Sequence, residues 1–262
     1  NPLSSIGDSL QRAMYGNHPR LVLLKPEMVD QINYDRVLEM YNDRFKDASD
    51  FTFYFVGNID LETAKPLIAE YLGALPAINR KETFKDTKMD IRKGVYKNEF
   101  AKEQQTPTAT IVFLYSGKAL DLVYTAEIRE KEGGTYGVNC IGNLQKYPKE
   151  QLLMQIIFQT DPEKKDKLAG IVVDELKKLA AEGPSEVHLQ KVKEYLLKKY
   201  ADNQKENAYW LNNLNDYFFY GMDMTKDYTD LVNGITAKEL QKFAADLLKQ
   251  GNEIEVTMTV NK

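Results

Sequence analysis

The sequence predicts an α+β fold made of two related units, one partial and one nearly complete, each with an antiparallel sheet covered by helices. Two observations lead to this prediction. A pattern of helix followed by strand near the start of the chain recurs near its end. Between the two copies, strand patterns come in pairs and helical patterns come in runs, which is typical of α+β proteins.

The repeat relates Ile32–Asn58 to Ile235–Asn261, without a gap and 203 residues later. Asn33 and Thr236 are suitable N-caps for the helix of each copy. The strand of each copy alternates with period two, as a half-buried strand does. The alternating apolar positions are Phe51, Phe53 and Phe55 in the first copy and Ile254, Val256 and Met258 in the second. We therefore predict that both copies are helix followed by strand and that they superpose.

The likeness extends upstream, because LSSIGDSLQRAMYG, ending at Gly16, resembles YWLNNLNDYFFYG, ending at Gly221. Glycine at this point is typical of a helix C-terminal cap. For a single window, chance likeness of two helix-strand segments is the alternative, but two matches in the same order favour duplication. The chain is then predicted to contain the C-terminal part of a first unit in residues 1–86 and a second, nearly complete unit in residues 87–262.

The elements between the two copies follow from local patterns. A helix capped by Asp60 is predicted to contain Pro66 and to stop before Gly73, and a polar linker follows it. Two strands, a helix and two more strands come next, at about residues 93–100, 108–115, 120–131, 135–142 and 151–159. Asp161-Pro162 then predicts the start of a helix that stops at Gly183, and Ser185 caps a long helix through Tyr200 and beyond.

Composition excludes several classes of function. The net charge of −4 leaves no basic excess for binding nucleic acid. No apolar stretch approaches the roughly 20 residues that span a bilayer. Cys140 is the only cysteine, so an internal disulfide and a thiolate metal cage are excluded. Composition leaves the compartment open between bacterial periplasm and cytoplasm.

Three segments together resemble the pitrilysin/insulinase family of zinc metallopeptidases, in the family's order and over most of the chain. FTFYFVGNIDLETAKPLIAEYLGALP, Phe51–Pro76, is similar to the family's strand, turn, helix and Tyr-Leu-Gly-x-Leu-Pro ending. IREKEGGTYGV, Ile128–Val138, is similar to its Arg-Glu-x-x-Gly-x-x-Tyr element. GPSEVHLQKVKEYLLKKY, Gly183–Tyr200, resembles a lysine-bearing helix of the family. The resemblance implies metallopeptidase-like α+β units.

The chain departs from the family pattern in two places. The family binds zinc with an inverted His-x-x-Glu-His helix, whereas His18 and His188 are the only histidines here. The resemblance is therefore to the C-terminal, zinc-free portion, and zinc is expected in the full-length protein but not in this segment. In addition, Lys118–Leu120 leads almost directly into the Arg129 element, where the family has a longer helix. Either the protein is shorter here or residues are absent from this sequence, and we favour the second.

Arg129 and Tyr136 are the candidate catalytic residues. In the family, the matching arginine and tyrosine of the zinc-free half reach toward the zinc site. There the phenol can donate a hydrogen bond to the developing oxyanion, and the guanidinium can hold the substrate backbone. The spacing alone favours a plainer interpretation, in which Arg129 belongs to a solvated charged run and Tyr136 is an ordinary strand aromatic. The family match reverses that preference.

The resemblance implies the substrate-binding half of a zinc-dependent metalloendopeptidase, which is expected to be inactive by itself. Its expected partners are a peptide substrate and the N-terminal, zinc-bearing half of the same protein. The first alternative is a non-catalytic structural or processing-partner subunit of the same family. A second alternative is a peptide-binding module without chemistry, whose function would tolerate the loss of Tyr136.

Overall fold

The computed structural model describes residues 2–21, 25–83, 85–103, 108–117 and 138–260. The chain forms two compact units. Unit 1 comprises Asn1–Val22, Asp86–Lys199 and Asp227–Lys262, and unit 2 comprises Leu23–Lys85 and Tyr200–Lys226. Each unit thus contains segments that are far apart in the sequence. The predicted division of the chain at residue 86 stays a prediction.

Unit 1 is built on a five-stranded sheet in the order β1-β5-β2-β4-β3. The strands are β1 (Val95–Lys102), β2 (Ala109–Gly117), β3 (Val138–Gln145), β4 (Gln151–Thr160) and β5 (Glu253–Val260). Three pairings are antiparallel, as predicted, but β1 and β5 pair in parallel, so the sheet is mixed. A parallel pair needs a long connection, and residues 103–252 lie between these two strands.

Helices cover both faces of this sheet in unit 1. They are α1 (Pro2–Tyr15), α4 (Lys165–Glu182), most of α5 (Glu186–Asn203), α7 (Tyr228–Gly234) and α8 (Ala237–Lys249). Alternate residues of β2 point to opposite faces. Phe113 and Tyr115 pack with α4 and α8, whereas Val112 and Leu114 pack with α1 and β5. β2 is therefore the centre of the core, and its continuous apolar run reflects burial on both sides.

The predicted caps at Thr236 and Ser185 are formed, whereas Asp161 makes no side-chain capping hydrogen bond. Thr236 and Glu239 make a reciprocal capping box at the start of α8. Ser185 Oγ accepts a hydrogen bond from the His188 N–H at 3.3 Å at the start of α5. Gly183 ends α4 with a φ of 75°, a conformation that only glycine adopts without strain. The predicted helix start at Asp161-Pro162 is a short 3₁₀ turn that leads into α4.

Unit 2 contains α2 (Tyr34–Phe45), α3 (Leu61–Tyr71) and α6 (Asn207–Asn215), which a π-helical turn extends to Tyr220. The predicted caps are present, since Asn33 accepts from the Arg36 N–H and Asp60 accepts from the Glu62 N–H. A further 3₁₀ helix at Pro26–Gln31 had no predicted counterpart.

The loop after α2 is anchored by the buried carboxylate of Asp47. Its oxygens accept hydrogen bonds from the backbone N–H groups of Ser49 at 3.0 Å, Ile78 at 2.9 Å and Arg80 at 2.6 Å. These bonds, with a further one from the Ser49 hydroxyl, hold the pKa of Asp47 well below its usual range. One side chain thus ties together two stretches of unit 2 that are about thirty residues apart.

The predicted strand of the first repeat copy is wrong. Residues 51–56 do not form a strand, whereas the equivalent residues of the second copy form β5. A strand needs a neighbour to satisfy its backbone N–H and C=O groups. Among the described residues of unit 2 there is no strand to provide one. The two copies therefore share the helix but not the strand, so the predicted superposition over the full repeat is not met.

The upstream helices of the two copies end as predicted. Gly16 follows α1 with a φ of 62°, and Gly221 follows the π turn with a φ of 68°. Each helix packs with the opposite copy. Ile6 and Ala13 of α1 contact the β5 side of unit 1, whereas the Phe218 ring lies 5.7 Å from that of Tyr54 in unit 2. No helix within the described ranges is both long and apolar enough to cross a membrane.

Candidate functional site

Arg129 and Tyr136 lie outside the described residues, but the strands that flank them in sequence are described. Gly117, at the end of β2, is paired with Leu152, and Val138, at the start of β3, is paired with Phe158. Those partners stand near opposite ends of β4. Tyr136 precedes Val138 by two residues in the sequence. The end of the sheet at Val138 is therefore the described part of the structure that is nearest in sequence to Tyr136.

A row of paired residues crosses the sheet at this end: Val138, Phe158, Ile111, Thr257 and Glu99. Within the row, Phe158 and Ile111 are apolar and buried, and Thr257 is polar and buried. One residue further along, the Gln159 side-chain amide donates to the Thr110 hydroxyl at 3.3 Å. This packing gives the entry into β3 a rigid base.

Lys165, at this end of the sheet, pairs with two carboxylates. Lys165 Nζ lies 2.8 Å from the carboxylate of Asp166 and 2.9 Å from that of Glu99. Hydrogen bonds to these two carboxylates raise the pKa of Lys165. Lys165 is thus a cation between two carboxylates, and its ion pair with Glu99 links α4 to β1.

β3 lies at an edge of the sheet and has β4 as its one neighbour among the described residues. The outer edge of such a strand presents backbone donors and acceptors that can pair with an extended peptide. Asn139, Ile141 and Asn143 of β3 are exposed on one face of the sheet. The edge is therefore suited to hold extended polypeptide next to the candidate site.

A cavity of about 220 Å³ lies between strands β3 and β4 and helices α4, α5 and α8. Its wall is mostly apolar, and its polar groups are the Cys140 thiol and the His188 imidazole. The lining residues come from two strands, three helices and the loop between α4 and α5: Cys140, Gly142, Met154, Leu176, Leu179, Pro184, His188, Leu189, Val192, Leu240, Phe243 and Ala244. Sequence patterns did not indicate this cavity, because its walls come from segments up to a hundred residues apart.

The two histidines have separate surroundings. His18 Nε2 lies 3.0 Å from the Thr87 carbonyl oxygen, in a loop of unit 1, whereas His188 lies on the exposed side of α5 and lines the cavity. Across the described ranges, no group of three or more His, Cys, Asp or Glu side chains could hold a metal ion. The described framework thus offers binding surfaces but no metal centre.

The chain belongs to the family described as the peptidase M16 inactive domain, which matches residues 31–126 and 117–196. The two matched segments overlap at residues 117–126. The segment from Arg129 to Tyr136 lies within the second match. This membership confirms the resemblance to the zinc-free portion of a zinc peptidase.

Relatives of known sequence and structure agree. The chain is 24% identical over 243 residues to a zinc protease PQQL-like protein of Arabidopsis thaliana, covering 82% of this chain and 25% of that protein. It is similar in fold to the periplasmic protease PqqL from Escherichia coli, with a TM-score of 0.75, 18% identity, and coverage of 100% of this chain and 31% of that one.

A second structure, the peptidase M16 inactive domain from Pseudomonas fluorescens, matches with a TM-score of 0.70 and 18% identity. It covers 100% of this chain and 66% of that one. These likenesses confirm the α+β fold class with a sheet and covering helices. The chain spans about a quarter of the length of the curated relative that it matches.

Proposed function

We propose that this chain is the substrate-binding, zinc-free half of a zinc-dependent metalloendopeptidase that acts on peptides. In this proposal Arg129 and Tyr136 complete an active site formed with an N-terminal, zinc-bearing half of the same protein. The observation that carries the proposal is the family match, which runs through the Arg129 to Tyr136 element. The relative from Arabidopsis is described as a zinc protease, which supports zinc in the longer protein.

The chemistry of the two side chains suits these roles. A phenol is a neutral hydrogen-bond donor at pH 7, so Tyr136 can stabilise an oxyanion as negative charge develops. The guanidinium of Arg129 is a permanent cation with a planar set of donors that can hold substrate carbonyl groups. Zinc held by the other half would supply the polarised water that attacks the peptide bond. The present chain contributes binding and orientation.

The framework around β3 supports the binding part of the proposal. An extended peptide that pairs with the outer edge of β3 would run beside the entry of the chain from Tyr136 into Val138. Main-chain pairing of this kind is tolerant of sequence, which suits an enzyme that accepts many peptides.

The proposal is tested with Tyr136→Phe in the full-length, zinc-loaded protein. The change removes one hydroxyl and little volume. Because an oxyanion donor is lost, kcat should fall by roughly 10²–10³, with a smaller change in KM. Tyr195→Phe is the matched control, because Tyr195 lies half exposed on α5, and it should leave kcat unchanged. A normal kcat for a folded Tyr136→Phe enzyme would remove the proposed catalytic role.

Arg129→Lys separates substrate holding from chemistry. Lysine keeps the charge but loses the planar set of donors, so KM should rise at least as much as kcat falls. Steady-state kinetics on one peptide measure both values.

The second candidate function is a non-catalytic structural or processing-partner subunit, which is favoured by the description of the matched family as an inactive domain. The two candidates differ in the full-length gene product. A His-x-x-Glu-His helix in that product and peptide hydrolysis by it support the enzyme, whereas assembly without hydrolysis supports the subunit.

A further inference from the structure

The cavity beside β3 has the size and the lining of a binding site for a single side chain. Its volume of about 220 Å³ exceeds that of an apolar cavity of about 150 Å³ that binds benzene in another protein. Folded cores contain few voids larger than a water molecule. His188 lines the cavity and is exposed, so the cavity is open to solvent. A ligand can therefore enter it from outside unit 1.

Gly142 leaves a gap in the wall that β3 contributes to this cavity. Because side chains alternate along a strand, Cys140, Gly142 and Leu144 share one face of β3, and Gly142 has no side chain between its two neighbours. An aromatic side chain on an adjacent strand can pack over a glycine of an edge strand and replace the missing contacts. On its outer side, β3 has no neighbouring strand among the described residues. A strand added there would place one side chain opposite Gly142, on the face that borders the cavity.

The lining of the cavity favours an aromatic ring at this position. Met154, which pairs with Gly142 across β3 and β4, also lines the cavity, and contacts between sulfur and aromatic rings are favourable. Phe243 of α8 lines another part of the wall and can pack against a ring edge to face. None of the described lining residues is an aspartate, glutamate, lysine or arginine. A charged side chain would therefore lose its hydration in the cavity without gaining a partner of opposite charge.

We propose that this cavity is a subsite for one aromatic side chain of a peptide that pairs with the outer edge of β3. The backbone of the peptide makes the strand pairing, and the side chain opposite Gly142 enters the cavity. The inference rests on the proposed function, because that function brings an extended peptide to β3. It deepens the proposed function by naming the class of side chain that is preferred, and it does not involve Arg129 or Tyr136.

The test measures the binding of two peptides to the full-length gene product after zinc has been removed, so that neither peptide is cleaved. Both peptides consist of seven residues, serine and threonine except at the centre, where one has phenylalanine and the other alanine. The phenylalanine peptide should bind roughly 10- to 100-fold more tightly, because a large apolar side chain is removed from water. Fluorescence anisotropy of the labelled peptides gives both dissociation constants. Equal affinities would overturn the proposal.

A pair of variants in β3 tests whether this preference arises at the cavity. Gly142→Val fills the gap in the strand and should abolish the preference for phenylalanine. Asn143→Val is the matched control, because it introduces the same side chain at the next residue, which is exposed on the other face of the sheet. It should keep the preference. Equal effects of the two variants would contradict the assignment of the preference to the cavity.

A second pair of variants fills the cavity from α5 and leaves β3 unchanged, so the test does not depend on the folding of Gly142→Val. Val192→Phe places a ring in the cavity and should remove the preference. Val187→Phe is the control on the same helix, because Val187 is 64% exposed and is not a lining residue. Retention of the preference in Val192→Phe, or its loss in Val187→Phe, would overturn the proposal.

Hydrolysis by the zinc-loaded protein separates this inference from the proposed function. Absence of hydrolysis, with a preference that Val192→Phe removes, would exclude the enzyme and keep the subsite. Hydrolysis with equal affinities for the two peptides would keep the enzyme and exclude the subsite. Phenol is the probe for a free ligand. A thermal shift with phenol that Val192→Phe removes, without any preference between the peptides, would assign the cavity to a small aromatic molecule and overturn the proposal.

Discussion

The two copies of the repeat have the same pattern of apolar residues but opposite degrees of burial. Met258 is fully buried in β5, whereas its counterpart Phe55 is half exposed in unit 2. The difference does not arise from the copies themselves, because α2 and α8 have equivalent positions and are both capped at their first turn. A sequence pattern thus determines which side of an element is apolar, whereas its neighbours determine whether that side is buried.

The largest difference between the copies is expected when the stability losses of Met258→Ala and Phe55→Ala are compared. Loss of a fully buried Met side chain should lower the free energy of unfolding of unit 1 by about 2–5 kcal/mol, because a cavity is left in the core. Phe55→Ala in the same chain should change the stability by less than about 0.5 kcal/mol, since the ring is half exposed. Urea denaturation measures both, and equal losses would show that Phe55 is already packed in the isolated chain.

An effect of intermediate size is expected on stability at low pH. Asp47 carries a carboxylate, whereas the equivalent residue of the second copy is Gln250. Its pKa is lowered in the folded chain by hydrogen bonds from Ser49, Ile78 and Arg80. This stabilisation is complete well above the ordinary value of 3.8 and is lost as the pH falls through that value toward the lowered pKa. The stability of unit 2 should therefore decrease below about pH 4.

Asp47→Asn should weaken unit 2 at neutral pH and make it less sensitive to acid. The measurement is hydrogen exchange of residues 76–80 in both chains between pH 3 and pH 7, corrected for the intrinsic pH dependence of exchange. If the variant and the parent chain lose protection in parallel as the pH falls, the carboxylate of Asp47 is not the origin of the acid response.

The smallest effect is expected at the helix caps. Thr236→Ala removes the acceptor for the Glu239 N–H and breaks a reciprocal box, so it should cost about 1 kcal/mol, within a range of about 0.5–2. Asn33→Ala removes a single bond from the Arg36 N–H at 2.9 Å and should cost less. Thermal unfolding of the two variants measures both stability losses. A larger loss for Asn33→Ala would show that the Asn33 cap contributes more to stability than the Thr236 cap.

Most elements were predictable because their signals are local. The caps at Asn33, Asp60, Ser185 and Thr236 depend on side chains within three residues of the backbone groups that they satisfy. The glycines at 16, 183 and 221 end helices in conformations with positive φ, as predicted. The β-branched and aromatic residues at about 108–115 likewise predicted the strand that is observed as β2.

The failures depend on partners that are distant in sequence. Phe51, Phe53 and Phe55 have a strand pattern, but a pattern does not supply the neighbouring strand. The parallel pairing of β1 with β5 joins residues about 158 positions apart, and no local signal encodes it. The cavity beside Cys140 is similar, because its walls come from five elements. The assignment of Arg129 and Tyr136 rests on the family likeness and stays a prediction.

The position of β5 in the sheet has a consequence for the order of events during synthesis. β5 lies between β1 and β2 but is made after every other described strand, so β1 lacks its one described strand neighbour until residues 253–260 have left the ribosome. The packing of α1 is also incomplete until then, because α1 packs on β5 as well as on β2. A nascent chain that lacks residues 253–260 would expose one edge of β2 and the apolar side of α1, and such surfaces are where chaperones bind and where aggregation begins.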